Sequence, residues 1–86
     1  MADYSITFAR SARKELEALD AAIVNRIFPK IESLSCNPRP HNCVKLRGGG
    51  NLWRIRIGVY RVIYGIDDNK KLIDIIAVRH RRDAYG

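Results

Sequence analysis

The chain has 86 residues, of which 47% are hydrophobic and 29% charged, as in an ordinary globular protein. A chain of this length forms one small core, so we expect a single domain over residues 1–86. It contains no apolar run long enough for a membrane span, and its first residues lack the basic and apolar regions of a secretory signal. These features predict a cytoplasmic protein with no membrane partner.

The positive charge is concentrated in the second half of the chain. Residues 1–44 contain six Lys or Arg and five Asp or Glu, whereas residues 45–86 contain ten and four, for a net charge of +7. A one-sided basic field attracts nucleic acid, an anionic membrane or an acidic protein. No basic amphipathic helix is present, which disfavours the membrane.

The first part of the chain predicts one strand and then a helix. Apolar and polar residues alternate over residues 3–8, which is the period of a strand. The period then changes, because Ala12, Leu16 and Leu19 follow helical spacing, with Glu15 among the charged side chains that point away from this stripe. We therefore expect an amphipathic helix of about three turns.

A second apolar stripe predicts a second helix. It runs from Ile23 to Leu34, and Asp20 precedes it as a candidate N-cap. Pro29 lies inside the stripe and removes one backbone hydrogen bond, which predicts a kink and not an end. The two helices suit an antiparallel hairpin on one face of a sheet.

The two cysteines, Cys36 and Cys43, lie near His41 in the loop that follows. In a cytoplasmic protein the expected state is two reduced thiols. Three potential ligands at this spacing do not complete a tetrahedral site. The sequence therefore predicts no metal and no cofactor.

The second half of the chain predicts four strands separated by turns of Gly, Asp and Asn. They cover residues 44–47, 52–57, 59–66 and 72–78. The last is almost continuously apolar and is expected inside the sheet, with both faces covered. The order β-α-α-β-β-β-β predicts an α+β fold, with the two helices on one face of a small, largely antiparallel sheet.

The hairpin over residues 52–66 carries the main functional signal. Its alternation places Arg54 and Arg56 on one face, and after a turn at Gly58 it returns Arg61 to that face. Like charges on neighbouring strands destabilise a sheet, so this cluster indicates an anionic partner. Arg binds phosphate through two oxygens at once. The alternative is a solvated charged face.

The chain end extends this cluster. Arg81 has the parity of Ile75 and Ala77 on the last strand, so it is expected to approach the hairpin arginines together with Tyr85 and, as a further candidate, His80. A basic concavity with a phenol and an imidazole suits metal-independent RNA cleavage, in which a 2′-hydroxyl attacks the adjacent phosphate. Tyr or His can transfer protons or stack on a base.

Five short motifs resemble the RelE/ParE toxin superfamily over nearly the whole chain. They are Tyr-x-Ile-x-Phe at 4–8, Lys-Leu-Arg-Gly at 45–48, Trp-Arg-Ile-Arg at 53–56, Tyr-Arg-Val-Ile-Tyr at 60–64, and Val-Arg-His-Arg at 78–81 followed by Tyr85. The resemblance implies a microbial RNase-like RelE fold and the toxin of a type II toxin–antitoxin pair. The implied activity is ribosome-dependent cleavage of mRNA in the A site, with the 70S ribosome, mRNA and a tightly bound acidic antitoxin, RelB-like, as partners.

The same resemblance implies residue roles. The position of Arg61 binds the scissile phosphate, that of Arg81 acts as acid or charge stabiliser, and that of Tyr85 stacks on or orients the substrate. Phosphate or RNA binding is assigned to four further basic residues, Lys45, Arg47, Arg79 and Arg82.

The sequence departs from the best-known RelE enzymes at Arg54 and Arg56, where they carry lysines, and at Arg79, where a glycine is common. Arginine stays protonated and cannot be a general base, so His80 becomes the candidate proton acceptor. The alternative is that no side chain is a strong base and that alignment of the mRNA on the ribosome supplies most of the acceleration. Two other functions stay open, namely gyrase inhibition of the ParE type and simple RNA binding.

Overall fold

The computed structural model of the chain describes residues 3–48 and 50–80. Within them, two helices pack on one face of a five-stranded sheet, which confirms the predicted α+β class and element order. The elements are β1 Ser5–Phe8, α1 Arg10–Glu17, α2 Ala21–Ser33, β2 Cys43–Lys45, β3 Leu52–Ile57, β4 Tyr60–Asp67 and β5 Leu72–His80. Neither of these helices has the length and apolar character needed to cross a membrane.

The sheet has the strand order β1-β5-β4-β3-β2. β1 pairs with β5 in parallel, from Ser5 opposite Leu72 to Phe8 opposite Ile75, and the other pairs are antiparallel. β4 therefore lies at the centre of the sheet. The first strand thus joins the C-terminal part of the sheet, and the prediction that the apolar last strand lies inside the sheet is confirmed. The predicted cover on both of its faces is wrong at Arg79, which is exposed.

Several predicted boundaries are wrong by a few residues. β2 ends at Lys45, because Leu46 and Arg47 already lead into a turn in which Gly48 has a φ of 68°. α1 ends before Leu19, which nevertheless packs against the core. β4 begins and ends one residue later than predicted, and β5 continues to His80.

The second helix follows its prediction with one exception. Asp20 occupies the N-cap position in an extended conformation, but its side chain makes no capping hydrogen bond, so the predicted cap interaction is wrong. α2 continues past Pro29 to Ser33, as the uninterrupted stripe predicted. The kink at Pro29 stays a prediction.

The core lies between the helices and the sheet. Side chains with no exposed surface come from both layers: Ala12, Ile27, Ile31, Leu34, Val62, Tyr64, Ile73 and Ile75. Burial of each large apolar side chain contributes about 1.5–3 kcal/mol. Tyr64 belongs to this core, and Trp53 packs against it while remaining partly exposed.

A bulge interrupts the pairing of β5 with β4. Tyr64 lies opposite Ile75 and Ile63 lies opposite Ala77, which leaves Ile76 as an extra residue. Before the bulge the odd-numbered residues of β5 face the helices, and beyond it the even-numbered residues do. Val78 therefore joins Ile75 in the core, and Ala77 projects from the opposite face.

The predicted common parity of Ile75 and Ala77 is thus wrong, because a period of two cannot register an inserted residue. The prediction for Arg81 was built on that parity. Arg81 itself lies outside the described residues.

α1 covers the edge of β5 where β1 has ended. The Ser11 hydroxyl donates to the Ile76 carbonyl at 2.8 Å, and a Glu15 carboxylate oxygen accepts the Val78 N–H at 2.9 Å. The other Glu15 oxygen lies 3.3 Å from Nε of Arg79. The prediction that Glu15 points away is therefore wrong, because α1 reaches backbone groups along this edge of the strand.

The loop after α2 is attached to the sheet by polar contacts. The buried Tyr64 hydroxyl donates to the Pro38 carbonyl at 2.7 Å. Arg39 forms an ion pair with Asp68 at 2.8 Å and lies 5.2 Å from the centre of the Trp53 ring. The Tyr4 hydroxyl donates to the same carboxylate at 2.6 Å. Hydrogen bonds from Arg39 and then Tyr4 lower the pKa of Asp68.

We predict that the Asp68 contacts stabilise the fold at neutral pH and not in acid. A carboxyl with a lowered pKa in the folded state contributes stability above its unfolded pKa of about 3.9, and loses it as the pH falls through the folded value. Urea unfolding should show Asp68→Asn less stable than wild type at pH 7, with the difference shrinking as the pH falls below the unfolded pKa and disappearing below the folded pKa of Asp68.

The matched control is Asp3→Asn, which removes an exposed carboxylate outside this network. A difference between wild type and Asp68→Asn that persists unchanged into acid would contradict the assignment.

Candidate functional site

Three arginines lie side by side on the sheet face opposite the helices. Arg56 of β3 is directly opposite Arg61 of β4, and Arg61 is directly opposite Arg79 of β5. Directly opposed residues project from the same face, so their side chains form a row across three strands. We call Arg56, Arg61 and Arg79 the arginine row, and the face that carries it the open face.

The hairpin between β3 and β4 creates the first half of the row. Ile57 pairs with Tyr60, so the turn contains only Gly58 and Val59, and Gly58 has a φ of 62°. Glycine at the first turn position permits this tight connection. The predicted return of Arg61 to the face of Arg54 and Arg56 is confirmed.

The bulge in β5 creates the second half of the row. Without Ile76 as an extra residue, continuous pairing would place Val78 opposite Arg61, and Arg79 opposite Tyr60 on the helix side. The inserted residue instead carries Arg79 to the open face. The position of Arg79 therefore depends on a local irregularity in the strand.

Burial differs along the row. Arg61, at the centre, retains 5% of its exposure, whereas Arg56 is exposed and the Arg79 side chain is 49% exposed. A buried guanidinium is held in a fixed geometry, while its neighbours can adjust to a ligand. This arrangement gives the row a rigid centre and adaptable ends.

An apolar strip lies next to the row. Arg54 on β3 is opposite Ile63, which is opposite Ala77, and on the outer side Arg54 faces Val44, which is 48% exposed. Hydrophobic side chains beside guanidiniums give a ligand both an apolar surface and charge. A nucleotide, with a flat base and a phosphate, matches such a pair of surfaces.

The charge of the open face changes from one end to the other. Asp67 and Asp74 lie toward the opposite end of β4 and β5, where Asp74 accepts a hydrogen bond from Thr7 at 3.2 Å. At the basic end, the Glu15 carboxylate pairs with Arg79. A partly exposed pair of this kind contributes about 0–1 kcal/mol and reduces the repulsion in the row.

His80 projects away from the arginine row. It is opposite Tyr60, one position along from Arg79, and its ring meets the Tyr60 ring edge to face at 5.3 Å between centroids. Neighbouring strand residues project to opposite faces. The structure therefore does not bring His80 together with Arg61. The prediction from the sequence that His80 approaches the hairpin arginines is wrong.

The remaining predicted residues lie elsewhere or outside the described range. Lys45 is exposed and opposite Trp53, on the helix side of the sheet, and Arg47 lies in the turn after β2. The other three predicted residues, Arg81, Arg82 and Tyr85, are not among those described.

Cys36, His41 and Cys43 do not form a metal site. Across residues 3–48 and 50–80, no three His, Cys, Asp or Glu side chains are grouped so that they could hold a metal ion. Both thiols are free. The described site is therefore defined by its arginines.

Sequence reasoning missed Glu15 as part of the site's surroundings. Ser11 and Glu15 are four residues apart and lie on one side of α1, next to the apolar stripe through Ala12 and Leu16. That flanking position is the available signal, since polar residues bordering a stripe can reach the edge of a packed sheet.

The arginine row can bind an anion and stabilise negative charge, and it cannot remove a proton. Guanidinium presents several N–H donors in a planar fork that matches phosphate oxygens. Because it remains protonated in proteins, any proton acceptor must come from elsewhere. The row is thus suited to a phosphate that gains charge during a reaction.

We predict that the row lowers the stability of the protein. Arg56 faces Arg61 directly, so Arg56→Gln should raise the free energy of unfolding by about 0.2–1 kcal/mol at low salt. The gain should shrink as salt screens the charges. Urea unfolding at low and high salt measures both effects.

Arg26→Gln is the control, because Arg26 is an exposed arginine of α2 far from the row. If Arg56→Gln lowers stability at low salt, or matches Arg26→Gln, the repulsion in the row is not significant.

Three comparisons relate the chain to known proteins. Residues 6–85 match the sequence model of a family described as the ParE toxin of type II toxin–antitoxin systems, parDE. A putative RelE-like toxin protein of Escherichia coli is 31% identical, over 96% of this chain and 90% of that protein.

Two solved complexes have the same fold. The archaeal RelE–RelB complex from Pyrococcus horikoshii OT3 matches with a TM-score of 0.81 and 31% identity, over 94% of this chain and 97% of the other. The RelBE2 toxin–antitoxin complex from Mycobacterium tuberculosis matches with a TM-score of 0.82 and 30% identity, over 94% of each chain. The chain therefore belongs to the RelE/ParE superfamily of type II toxin–antitoxin toxins.

Proposed function

We propose that this toxin is a metal-independent endoribonuclease that cleaves mRNA in the ribosomal A site and so inhibits translation. The observation that carries the proposal is the arginine row, with a buried Arg61 between two more exposed arginines. The row concentrates positive charge along one line across three strands. Relatives named RelE, found by sequence and by structure, support the RelE branch, to which the family resemblance assigns this activity.

The proposed chemistry is transfer within the RNA backbone. The 2′-oxygen attacks the adjacent phosphorus, a bond from phosphorus to the 5′-oxygen breaks, and a cyclic phosphate remains on the upstream fragment. The phosphorane formed on the way carries extra negative charge. Arg61 would hold the scissile phosphate, and Arg56 and Arg79 would stabilise the added charge.

The reaction also requires one proton to leave the 2′-hydroxyl and another to reach the 5′-oxygen. In the proposal, Arg81 stabilises charge on the leaving group and Tyr85 orients the base, which are the roles that the family resemblance gives them. Arg54 acts only electrostatically. His80 projects to the helix side by register, which favours the alternative in which alignment on the ribosome supplies most of the acceleration.

The proposed partners follow from charge and from the relatives. A net charge of +7, concentrated in residues 45–86, favours binding to ribosomal RNA and to an acidic antitoxin. Several of the similar solved structures are complexes of RelE with RelB, which supports a RelB-like antitoxin for this chain. Lys45, Arg47 and Arg82 would contribute to the wider phosphate-binding surface. The ribosome as target places the toxin in the cytoplasm.

A second candidate function is inhibition of DNA gyrase. The family model that matches residues 6–85 is described as ParE, and this favours it. By the family resemblance, the gyrase-inhibiting ParE branch tends to lack this set of Arg and Tyr residues. The arginine row therefore favours RNA cleavage.

We predict that Arg61→Ala removes most ribosome-dependent cleavage. Loss of a donor to the phosphorane costs about 2–4 kcal/mol of transition-state stabilisation, or roughly 30- to 1000-fold in rate. The measurement is single-turnover cleavage of mRNA on programmed 70S ribosomes, read by toeprinting. Arg26→Ala, at an exposed position of α2, should cleave at the wild-type rate.

Because Arg61 is buried, circular dichroism should first verify that the variant is folded, with Arg61→Gln as a second substitution of closer size. A folded Arg61 variant that cleaves at the wild-type rate would overturn the assignment. In parallel, a supercoiling assay with purified gyrase separates the two functions. Inhibition of gyrase without mRNA cleavage would establish the ParE function.

We also predict that ribosome binding weakens steeply with salt, because basic side chains displace counterions from phosphates. Replacing one phosphate-binding cation lowers the slope of log affinity against log salt by about one. Arg56→Gln should show this smaller slope, and Arg26→Gln should not. Binding that is insensitive to salt, or an unchanged slope for Arg56→Gln, would contradict the proposed interface.

A further inference from the structure

The C-terminal half of β5 is held by side chains where a neighbouring strand would otherwise pair. β1 ends at Phe8, opposite Ile75, so among the described residues no strand lies beside the outer edge of β5 beyond that point. Ser11 satisfies the Ile76 carbonyl and Glu15 satisfies the Val78 N–H. These two side chains lie one helical turn apart and thus imitate the hydrogen bonds of a strand.

Both contacts fall on the bulge. Ile76 is the extra residue, and Val78 is the first residue beyond it that returns to the core. A bulge leaves one residue unpaired with the partner strand and needs local support to stay in one place. Ser11 and Glu15 supply that support from outside the sheet.

We infer that Ser11 and Glu15 are positioning residues which fix the bulge in β5 and thereby bring Arg79 into the arginine row. Continuous pairing would turn Arg79 toward Tyr60 and the helix side. Glu15 makes two contacts, because one carboxylate oxygen accepts the Val78 N–H and the other forms an ion pair with Nε of Arg79. The effect on phosphate binding rests on the proposed function, whereas the role of Ser11 and Glu15 in fixing the bulge does not.

The structural test compares Glu15→Ala, Glu15→Gln and Glu17→Ala by nuclear magnetic resonance. Gln keeps a carbonyl oxygen for the Val78 N–H, and Glu17→Ala removes the same charge from the exposed end of α1. In Glu15→Ala, exchange of the Val78 amide should be about tenfold faster, relative to an Ile55 amide in the same sample. The cross-strand contact between Arg61 and Arg79 should weaken, and Ser11→Ala combined with Glu15→Ala should abolish it.

Glu15→Gln and Glu17→Ala should both retain the Val78 protection and the Arg61–Arg79 contact. Unchanged protection and an unchanged contact in Glu15→Ala would overturn the inference. So would an equal loss in Glu17→Ala, since that would show a general effect of charge.

The functional test measures binding of a 2′-O-methyl ribotrinucleotide, which the enzyme cannot cleave. All three variants lose one negative charge, and Glu15→Ala and Glu15→Gln lose it from the same position, so these two are matched for charge. We expect Glu15→Ala to bind severalfold more weakly than Glu15→Gln and Glu17→Ala. Equal binding by all three would contradict the positioning role toward the row. If the register changes as expected while no protein binds the oligonucleotide, the inference stands and the proposed function fails.

Discussion

The bulge at Ile76 in β5 determines which side chains of the last strand share a face. Because of it, Ile75 and Val78 both enter the core although they are three residues apart, and Arg79 joins Arg61 on the opposite side. The strand therefore contributes to the core over its whole length and also completes the arginine row. With continuous pairing, Ile75 and Arg79 would project from the same face, because side chains would alternate without interruption. The strand could then supply Ile75 to the core or Arg79 to the row, but not both.

We expect the arginine row to work against stability, and the packed core to offset this effect. Directly opposed like charges in a sheet are unfavourable, yet Arg56, Arg61 and Arg79 occupy one line across three strands. The opposite face of the same strands is packed against two helices with many fully buried side chains. In a small domain with little core to spare, such an arrangement is retained where an anion relieves the repulsion. Mutual repulsion and affinity for a phosphate thus have the same origin.

The sequence predicted the elements well and the site in part. Alternation over residues 52–57 and a glycine at the turn were sufficient for Arg54, Arg56 and Arg61, because a two-residue hairpin leaves one register. The faces from which Arg79 and His80 project could not be predicted in this way, because a bulge residue has no distinguishing feature in the sequence of a nearly continuous apolar strand. Glu15 was assigned to solvent for a related reason. Its partner is a backbone edge, which has no side-chain signature.

The account rests on the claim that the arginine row is the phosphate-binding site. Titration of the protein with a 2′-O-methyl ribotrinucleotide, followed through the Nε–H signals of its arginines, tests this most directly. The account predicts the largest shifts at Arg56, Arg61 and Arg79, with Arg26 and Arg39 unaffected. Shifts confined to Arg10 and Arg13 on the helix side, with the row unchanged, would contradict it.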